Sequence, residues 1–279
     1  MYLDAWGLRE SPFGAACLTP FRTPAFEEAL ARLHYLVDAR RRLGLLLGAP
    51  GSGKTTVLEA FARDLRRQNQ QVARIAVGGL GPREFLWTLS AELGLAPARE
   101  LSGFDLWRGL TDHLIEGRYQ NAPTVLLLDD ADEAGSSGRV EESGREVLAQ
   151  VARLAEFEGA RDSTLTLVLA ASNERLHRLG RRVLELTELR VDLDPWQAEE
   201  TEMYLRERLR QRGGEQRVFR DDAVSRLHAL AHGNPRRINQ LANLALVAAA
   251  GQGQGLVAPE TVDGVYQELG VMQDAATAS

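Results

Sequence analysis

The apolar run Leu43-Gly44-Leu45-Leu46-Leu47 passes directly into Gly48-Ala49-Pro50-Gly51-Ser52-Gly53-Lys54-Thr55, and a helical pattern follows from Lys54. A buried strand that ends in a glycine-rich loop and restarts as a helix leaves few folds open. The glycines let backbone N–H groups turn inward around phosphate oxygens. The lysine reaches the β and γ phosphates as a point charge, and the threonine hydroxyl ligates Mg²⁺. Of the 33 Lys plus Arg residues, Lys54 is the single lysine. A chain that uses arginine at every other basic position keeps one compact ammonium where a bulkier guanidinium does not suit a tight loop. Gly48, Ala49, Pro50, Gly51, Ser52, Gly53, Lys54, Thr55 and Thr56 are therefore the expected phosphate-binding residues.

Four further apolar runs bounded by turn residues continue the pattern: Val72 to Val77, Val125 to Leu128, Leu165 to Ala171 and Leu189 to Leu193. Helical patterns separate them, near 54–68, 82–94, 103–118, 142–158 and 174–180. Alternation of this kind predicts an α/β fold with five parallel strands covered by helices. After Pro195 the strand signals stop, and helices are expected near 197–212, 220–231, 235–250 and 259–269. The expected division is a core over 1–194, with residues 1–42 included, and a small helical domain over 195–279.

The run Val125-Leu126-Leu127-Leu128 delivers Asp129 and Asp130 at its C-terminal edge, the edge at which parallel sheets bind ligands. Asp129 suits the Mg²⁺ shell, directly or through water. Asp130 stands where a hydrolase orients or deprotonates an attacking water, or else it only adds negative field near the metal. Asp132 and Glu133 read as solvated loop acids. Ser172 and Asn173, at the end of the fourth run, either contact the γ-phosphate and the attacking water or cap the following helix. Gly233-Asn234-Pro235-Arg236-Arg237 sets two arginines at a helix start, and Arg236 is the candidate phosphate sensor.

A net charge of -6 argues against a broad nucleic-acid-binding surface and leaves room for a local basic patch. No stretch approaches the roughly 20 apolar residues of a membrane span, so no direct membrane insertion is expected. The one cysteine, Cys17, reads as a small buried apolar residue and points to a cytoplasmic location.

These residues resemble the AAA+ ATPases, in particular the bacterial general secretion pathway protein A type, related to transposition ATPases of the TniB and MuB kind. The resemblance runs from Tyr2-Leu3, Trp6-Gly7-Leu8 and Ser11-Pro12-Phe13-Gly14 through Glu28 to Leu33, the lysine loop and the Asp129 strand. It ends with Pro195, Glu199-Glu200-Thr201 and Gly233 to Asn239. It implies a P-loop core followed by a lid, ATP and Mg²⁺ as cofactors, and a homo-oligomer coupling nucleotide state to a protein partner in envelope or secretion work. A DNA-bound transposition or replication regulator, or a slow nucleotide-gated switch, is the alternative. Lys54, Asp130, Ser172, Asn173 and Arg236 are then the catalytic set, with Thr55 and Asp129 on the metal.

Three positions depart from the family pattern. Asp130 replaces the usual glutamate, Ser172 stands where secretion members carry glutamine, and Leu186 falls at the arginine-finger position, with Arg181 and Arg182 the nearest substitutes. The larger members continue into a membrane helix and a peptidoglycan-binding domain, neither of which is expected within residues 1–279. The resemblance also brings Tyr2, Trp6 and Phe13 towards an adenine, against ordinary core packing. Arg40-Arg41-Arg42 reads as a helix-end cluster before a DNA contact. Arg206, Arg208, Arg210 and Arg212, interleaved with glutamates, read as a salt-bridged solvent face. His228 and His232 carry no zinc expectation.

Overall fold

The computed structural model describes residues 2–14, 20–134, 141–157, 164–214 and 217–277. Cys17 lies outside them. The chain divides into two compact units, one formed by Pro24–Pro50 and Lys54–Leu193, the other by Met1–Thr23, Gly51–Gly53 and Asp194–Ser279. Residues 1–23 thus group with the helical part, whereas the sequence reading attached them to the core.

A one-turn helix, α1 (Tyr2–Ala5), opens the chain. The sheet unit then runs α2 (Pro24–Asp38), β1 (Leu43–Leu47), α3 (Lys54–Arg67), β2 (Gln71–Ala76), α4 (Pro82–Glu92) and α5 (Gly103–Tyr119). It continues through β3 (Thr124–Asp129), α6 (Glu141–Ala155), β4 (Leu165–Ala171), α7 (Gly180–Leu186) and β5 (Leu189–Asp192). The five strands form one sheet in the order β2-β3-β4-β1-β5, every pair parallel. This is the α/β architecture expected from the alternating runs.

Strands β1, β3 and β4 are buried throughout, because helices cover both faces of the sheet. Leu45, Leu47, Leu126, Leu128, Leu167 and Leu169 pack on one face with α4, α5 and α6. On the other, Leu46, Val125, Leu127, Val168 and Ala170 meet Leu33 and Leu36 of α2 and Phe61 and Leu65 of α3. At Gly44 the strand lies close under α2: a Cβ there would come within 2.7 Å of Leu36 Cδ2, so a larger residue would displace that side chain.

The Arg40 to Arg42 cluster is structural. Arg42 pairs with Glu188 at 2.7 Å, Arg41 with the same carboxylate at 3.6 Å, and Arg40 donates to Asn121 Oδ1 at 3.1 Å. The segment read as a helix over 174–180 is a 3-10 stretch, Asn173–Leu179, followed by α7. The break falls at Gly180, whose φ of +76° a helix does not continue through.

The helical unit adds α8 (Ala198–Gln211), α9 (Asp221–Ala231), α10 (Pro235–Gly251) and α11 (Pro259–Thr277). Its core gathers Trp6, Leu8 and Phe13 with Tyr204, Leu205, Phe219, Leu227, Ile238 and Leu246. Trp6 donates its indole N–H to Leu246 O at 3.0 Å, and Phe13 meets the Phe219 ring edge-on at 6.3 Å between centroids. Trp6 and Phe13 are core residues here.

The reading of α8 as a solvated arginine face fails at Arg208, which is 4% exposed and lies over the Tyr204 ring at 5.1 Å. Burial of the guanidinium stem against an aromatic explains the departure. His228 Nδ1 pairs with Thr201 Oγ1 at 2.8 Å, and His232 closes α9 in the left-handed conformation. Among the described residues no helix is long and apolar enough to cross a membrane.

Candidate phosphate and metal site

In the sheet unit the C-terminal strand edge collects the predicted chemistry. Strand β4 lies between β1 and β3, with Leu47 opposite Ala171 and Leu128 opposite Leu169. Gly48 after β1, Asp129 at the end of β3 and Ser172 after β4 therefore emerge side by side on one edge. A parallel sheet leaves its ligand crevice there.

Lys54 is the first residue of α3 and is 8% exposed. Its Nζ donates to Gly48 O at 2.9 Å and Ala49 O at 3.1 Å. A buried ammonium needs such acceptors, and these hold its charge beside the loop that precedes the helix. The N–H groups of Lys54, Thr55 and Thr56 belong to the first turn, where backbone donors have no intrahelical acceptor and the helix end is electropositive. A phosphate is the natural acceptor for them. Pro50 and Thr55 are exposed beside that turn, and Thr56 is half-buried.

Asp129 is 3% exposed, and its Oδ1 accepts the Asp130 N–H at 3.1 Å. Arg74 Nη1 approaches its Oδ2 to 4.0 Å, and Arg74 Nη2 pairs with Glu59 Oε1 at 3.2 Å. The threonine hydroxyl of Thr55 and the carboxylate of Asp129 are hard oxygen donors, which suit Mg²⁺ with water completing its shell. The donor chemistry fits that ion.

Asp130 adopts the left-handed conformation, φ 51° and ψ 42°, as it turns the chain out of β3. Its carboxyl titrates above the ordinary aspartate range. Partial burial is the main cause, the charges of Asp129, Glu133 and Asp132 add to it, and Lys54 opposes it.

Asp132 is not a solvated loop acid. It is 5% exposed, and its Oδ1 accepts the backbone N–H of Ser172 at 3.1 Å. Arg175 Nη1 lies 3.8 Å from Asp132 and donates to Glu133 at 2.9 Å. A buried carboxylate is retained because it satisfies a backbone donor at the end of a strand 40 residues away.

Ser172 is 3% exposed, and its buried Oγ has no hydrogen-bond partner among the described residues. It stands at the N-cap position of the 3-10 stretch without making the cap bond. Asn173 instead accepts the Glu174 N–H through Oδ1 at 3.2 Å and is exposed. The two residues thus divide: Asn173 serves the turn, and the Ser172 hydroxyl lacks a protein acceptor or donor.

The helical unit holds the remaining site residues. Gly51 and Gly53 take φ of +84° and +102°, and the buried Ser52 Oγ has no hydrogen-bond partner among the described residues. Asn234 caps α10, its Oδ1 accepting the N–H groups of Arg236 and Arg237 at 3.1 and 3.2 Å. The Arg236 N–H also reaches Gly51 O at 3.3 Å, and a Cβ on Gly51 would lie 2.8 Å from Arg236 Cβ. Arg236 is exposed.

Arg181 pairs with Glu185 at 2.6 Å, and Arg182 with Glu156 and Glu185, so both arginines have intramolecular acids as partners. Arg74, Asp132 and Arg175 escape sequence reasoning as site residues. The available signals were an arginine interrupting an apolar strand at 74, and three aspartates at 129, 130 and 132 after another.

A model of the AAA domain family matches residues 37–179. General secretion pathway protein A of Aeromonas hydrophila is 27% identical over 286 aligned residues, covering 99% of this chain and 50% of that protein. The chain therefore spans about half the length of that relative. Among solved structures, Cdc6p from Pyrobaculum aerophilum superposes with a TM-score of 0.73 at 20% identity, covering 94% of this chain and 72% of its own. The Aeropyrum pernix ORC1 protein, solved in complex with DNA, gives 0.69 at 21% identity, covering 94% and 70%.

Proposed function

From a chain that belongs to the AAA domain family of P-loop ATPases, we propose a protein that binds ATP with Mg²⁺ and hydrolyses it. Lys54 and the loop amides from Gly48 to Thr56 hold the phosphates, and Thr55 with Asp129 holds the metal. The ion, when bound, draws charge from the β and γ phosphates. Asp130 orients the attacking water. Ser172 offers its unpartnered hydroxyl to the γ-phosphate or that water, Asn173 stands beside it, and Arg236 senses the phosphates from the start of α10. In this proposal the sheet unit acts as the core and residues 195–279 as the lid.

One observation carries the reading: the only lysine of the chain is buried at the head of α3, tied to Gly48 and Ala49, on the strand edge that also bears Asp129. A structural role alone would accept arginine, which this chain uses everywhere else.

We further propose that the protein works in the cytoplasm as a homo-oligomer that couples its nucleotide state to a protein partner, as an accessory ATPase of secretion type. The similarity to General secretion pathway protein A, over 99% of this chain and 50% of that protein, supports this. A second reading, an ATPase acting on DNA, is favoured by an arginine-lined hollow on α3 and β2, described below.

The test is Mg²⁺-dependent ATP hydrolysis over a protein concentration series, with and without duplex DNA, Lys54→Ala serving to subtract contaminating activity. Turnover per protomer rising with concentration and indifferent to DNA supports the protein-directed oligomer; turnover rising with DNA supports the second reading. ATP affinity unchanged in Lys54→Ala would remove the central claim.

A further inference from the structure

Three arginines follow one another along a single stripe of α3: Arg63, Arg66 and Arg67, all exposed. With Arg74 of β2, Glu59 and Ala62 they line an open hollow of about 480 Å³. Four guanidinium groups face one carboxylate there, in a chain whose net charge is -6. Glu59 is engaged by Arg74, and Asp64 approaches Arg67 at 3.5 Å. Neither Arg63 nor Arg66 has an ion-pair partner among the described residues.

The helix C-terminus explains part of this. Arg66 and Arg67 stand in the last turn of α3, where the helix dipole favours cations. It does not explain Arg63, a turn earlier, or Arg74, brought to the same hollow from the edge strand of the sheet. Two unpaired arginines of α3, set beside Arg67 and the Glu59-bound Arg74, carry a repulsion that an anion would relieve.

We propose that this hollow is a docking site for the phosphate backbone of duplex DNA. Arg63 and Arg67 are separated by about 6 Å along the helix axis, and one strand of a duplex presents a phosphate about every 3.4 Å of its own axis, so the stripe spans about two. Guanidinium forks grip phosphate oxygens two at a time.

The lining excludes the neighbouring ligand classes. Among the described residues no aromatic side chain borders it, so they supply no stacking platform of the kind single strands need. Ala62 is the only apolar residue of the lining among the described residues, so a protein partner would find charge there without the apolar anchor that an interface core is built on. A sequence-independent backbone contact asks for charge and access alone.

The inference deepens the DNA reading of the function, yet it is measured without nucleotide. Fluorescence anisotropy of a labelled short duplex, titrated with the full chain at several salt concentrations, is the experiment. The parent should bind with a log–log salt slope of about -3 or steeper, one contribution of about -0.9 for each phosphate neutralised. The Arg63→Ala, Arg66→Ala double variant should bind about tenfold more weakly, with a slope shallower by about 2. Arg108→Ala, which removes an exposed arginine of α5, should bind as the parent does.

Retained ATP affinity and circular dichroism in the double variant confirm that the fold is intact. Duplex affinity unchanged in the double variant overturns the proposal, as does a parent salt slope near zero. Competition by a glutamate-rich peptide of equal charge as effective as unlabelled duplex would also overturn it, assigning the hollow to an acidic protein. ATP hydrolysis that persists when duplex binding proves absent leaves the ATPase reading standing without this site. Duplex binding without ATP affinity has the opposite meaning.

Discussion

At Asp130 two constraints meet in one residue. Its φ of 51° is a conformation that aspartate tolerates better than most side chains, and its carboxyl is held above its ordinary pKa by partial burial and three neighbouring acids. A raised acid pKa means that the native state binds the proton more tightly than the unfolded chain does. Stability is then lost as pH climbs from the unfolded pKa through the folded one, and kept below both. In Mg²⁺-free, nucleotide-free buffer Asp130→Asn should melt at a higher temperature than the parent at neutral pH, the difference closing in acid; melts at the two pH values check it. Function should move the other way. Aspartate is one methylene short of the reach that a glutamate gives, so Asp130→Glu is expected to raise turnover about tenfold with ATP affinity unchanged, and a rate that falls or stays level would assign the water to another group. The placement of Lys54 at the head of α3 and of Asp129 at the end of β3 could be read from spacing alone, because a glycine-rich loop between strand and helix and an acid-tipped strand are local patterns. The burial of Asp132 could not, since its reason is a backbone donor at Ser172, far along the chain.

Between β3 and β4 that same carboxylate acts as a clamp. Asp132, in the 3-10 turn after β3, holds the Ser172 N–H and lies near Arg175, so two strand ends and the turn after β4 are fixed together. Asp132→Ala should cost about 2–3 kcal/mol, because it leaves a buried N–H without an acceptor. Asp132→Asn keeps an oxygen acceptor and should cost less; equal losses in denaturant titrations of the two variants would refute the clamp. The strands themselves were legible: apolar runs predict Leu43–Leu47 and Leu165–Ala171 with the observed bounds, and the other three within a residue or two. Their order in the sheet was not, because placing β1 between β4 and β5 depends on which faces the covering helices bury and leaves no mark on the run itself. Arg208 escaped for a related reason: an i, i+4 alternation of charges looks solvated until a tyrosine from the same helix folds over the guanidinium.

Three apolar clusters, one on each face of the sheet and one within the helical unit, divide between two compact units, and these are the two cooperative candidates for unfolding. Differential scanning calorimetry should therefore depart from a single two-state transition. ATP with Mg²⁺ should raise the transition of the sheet unit, which carries Lys54, Thr55 and Asp129, by about 2.7 kcal/mol at a hundredfold excess over Kd, and Lys54→Ala should abolish the shift. The confinement of the chain's only lysine to a hydrogen-bonded, nearly closed position has one more use. Apart from the α-amino group, an amine-acylating reagent has a single side chain to find. The mass gained by the intact protein is then a direct reporter of that one position: slow acylation in the free protein measures how often the Gly48 and Ala49 bonds open, and protection by nucleotide would read occupancy without a label, a coupled enzyme or turnover.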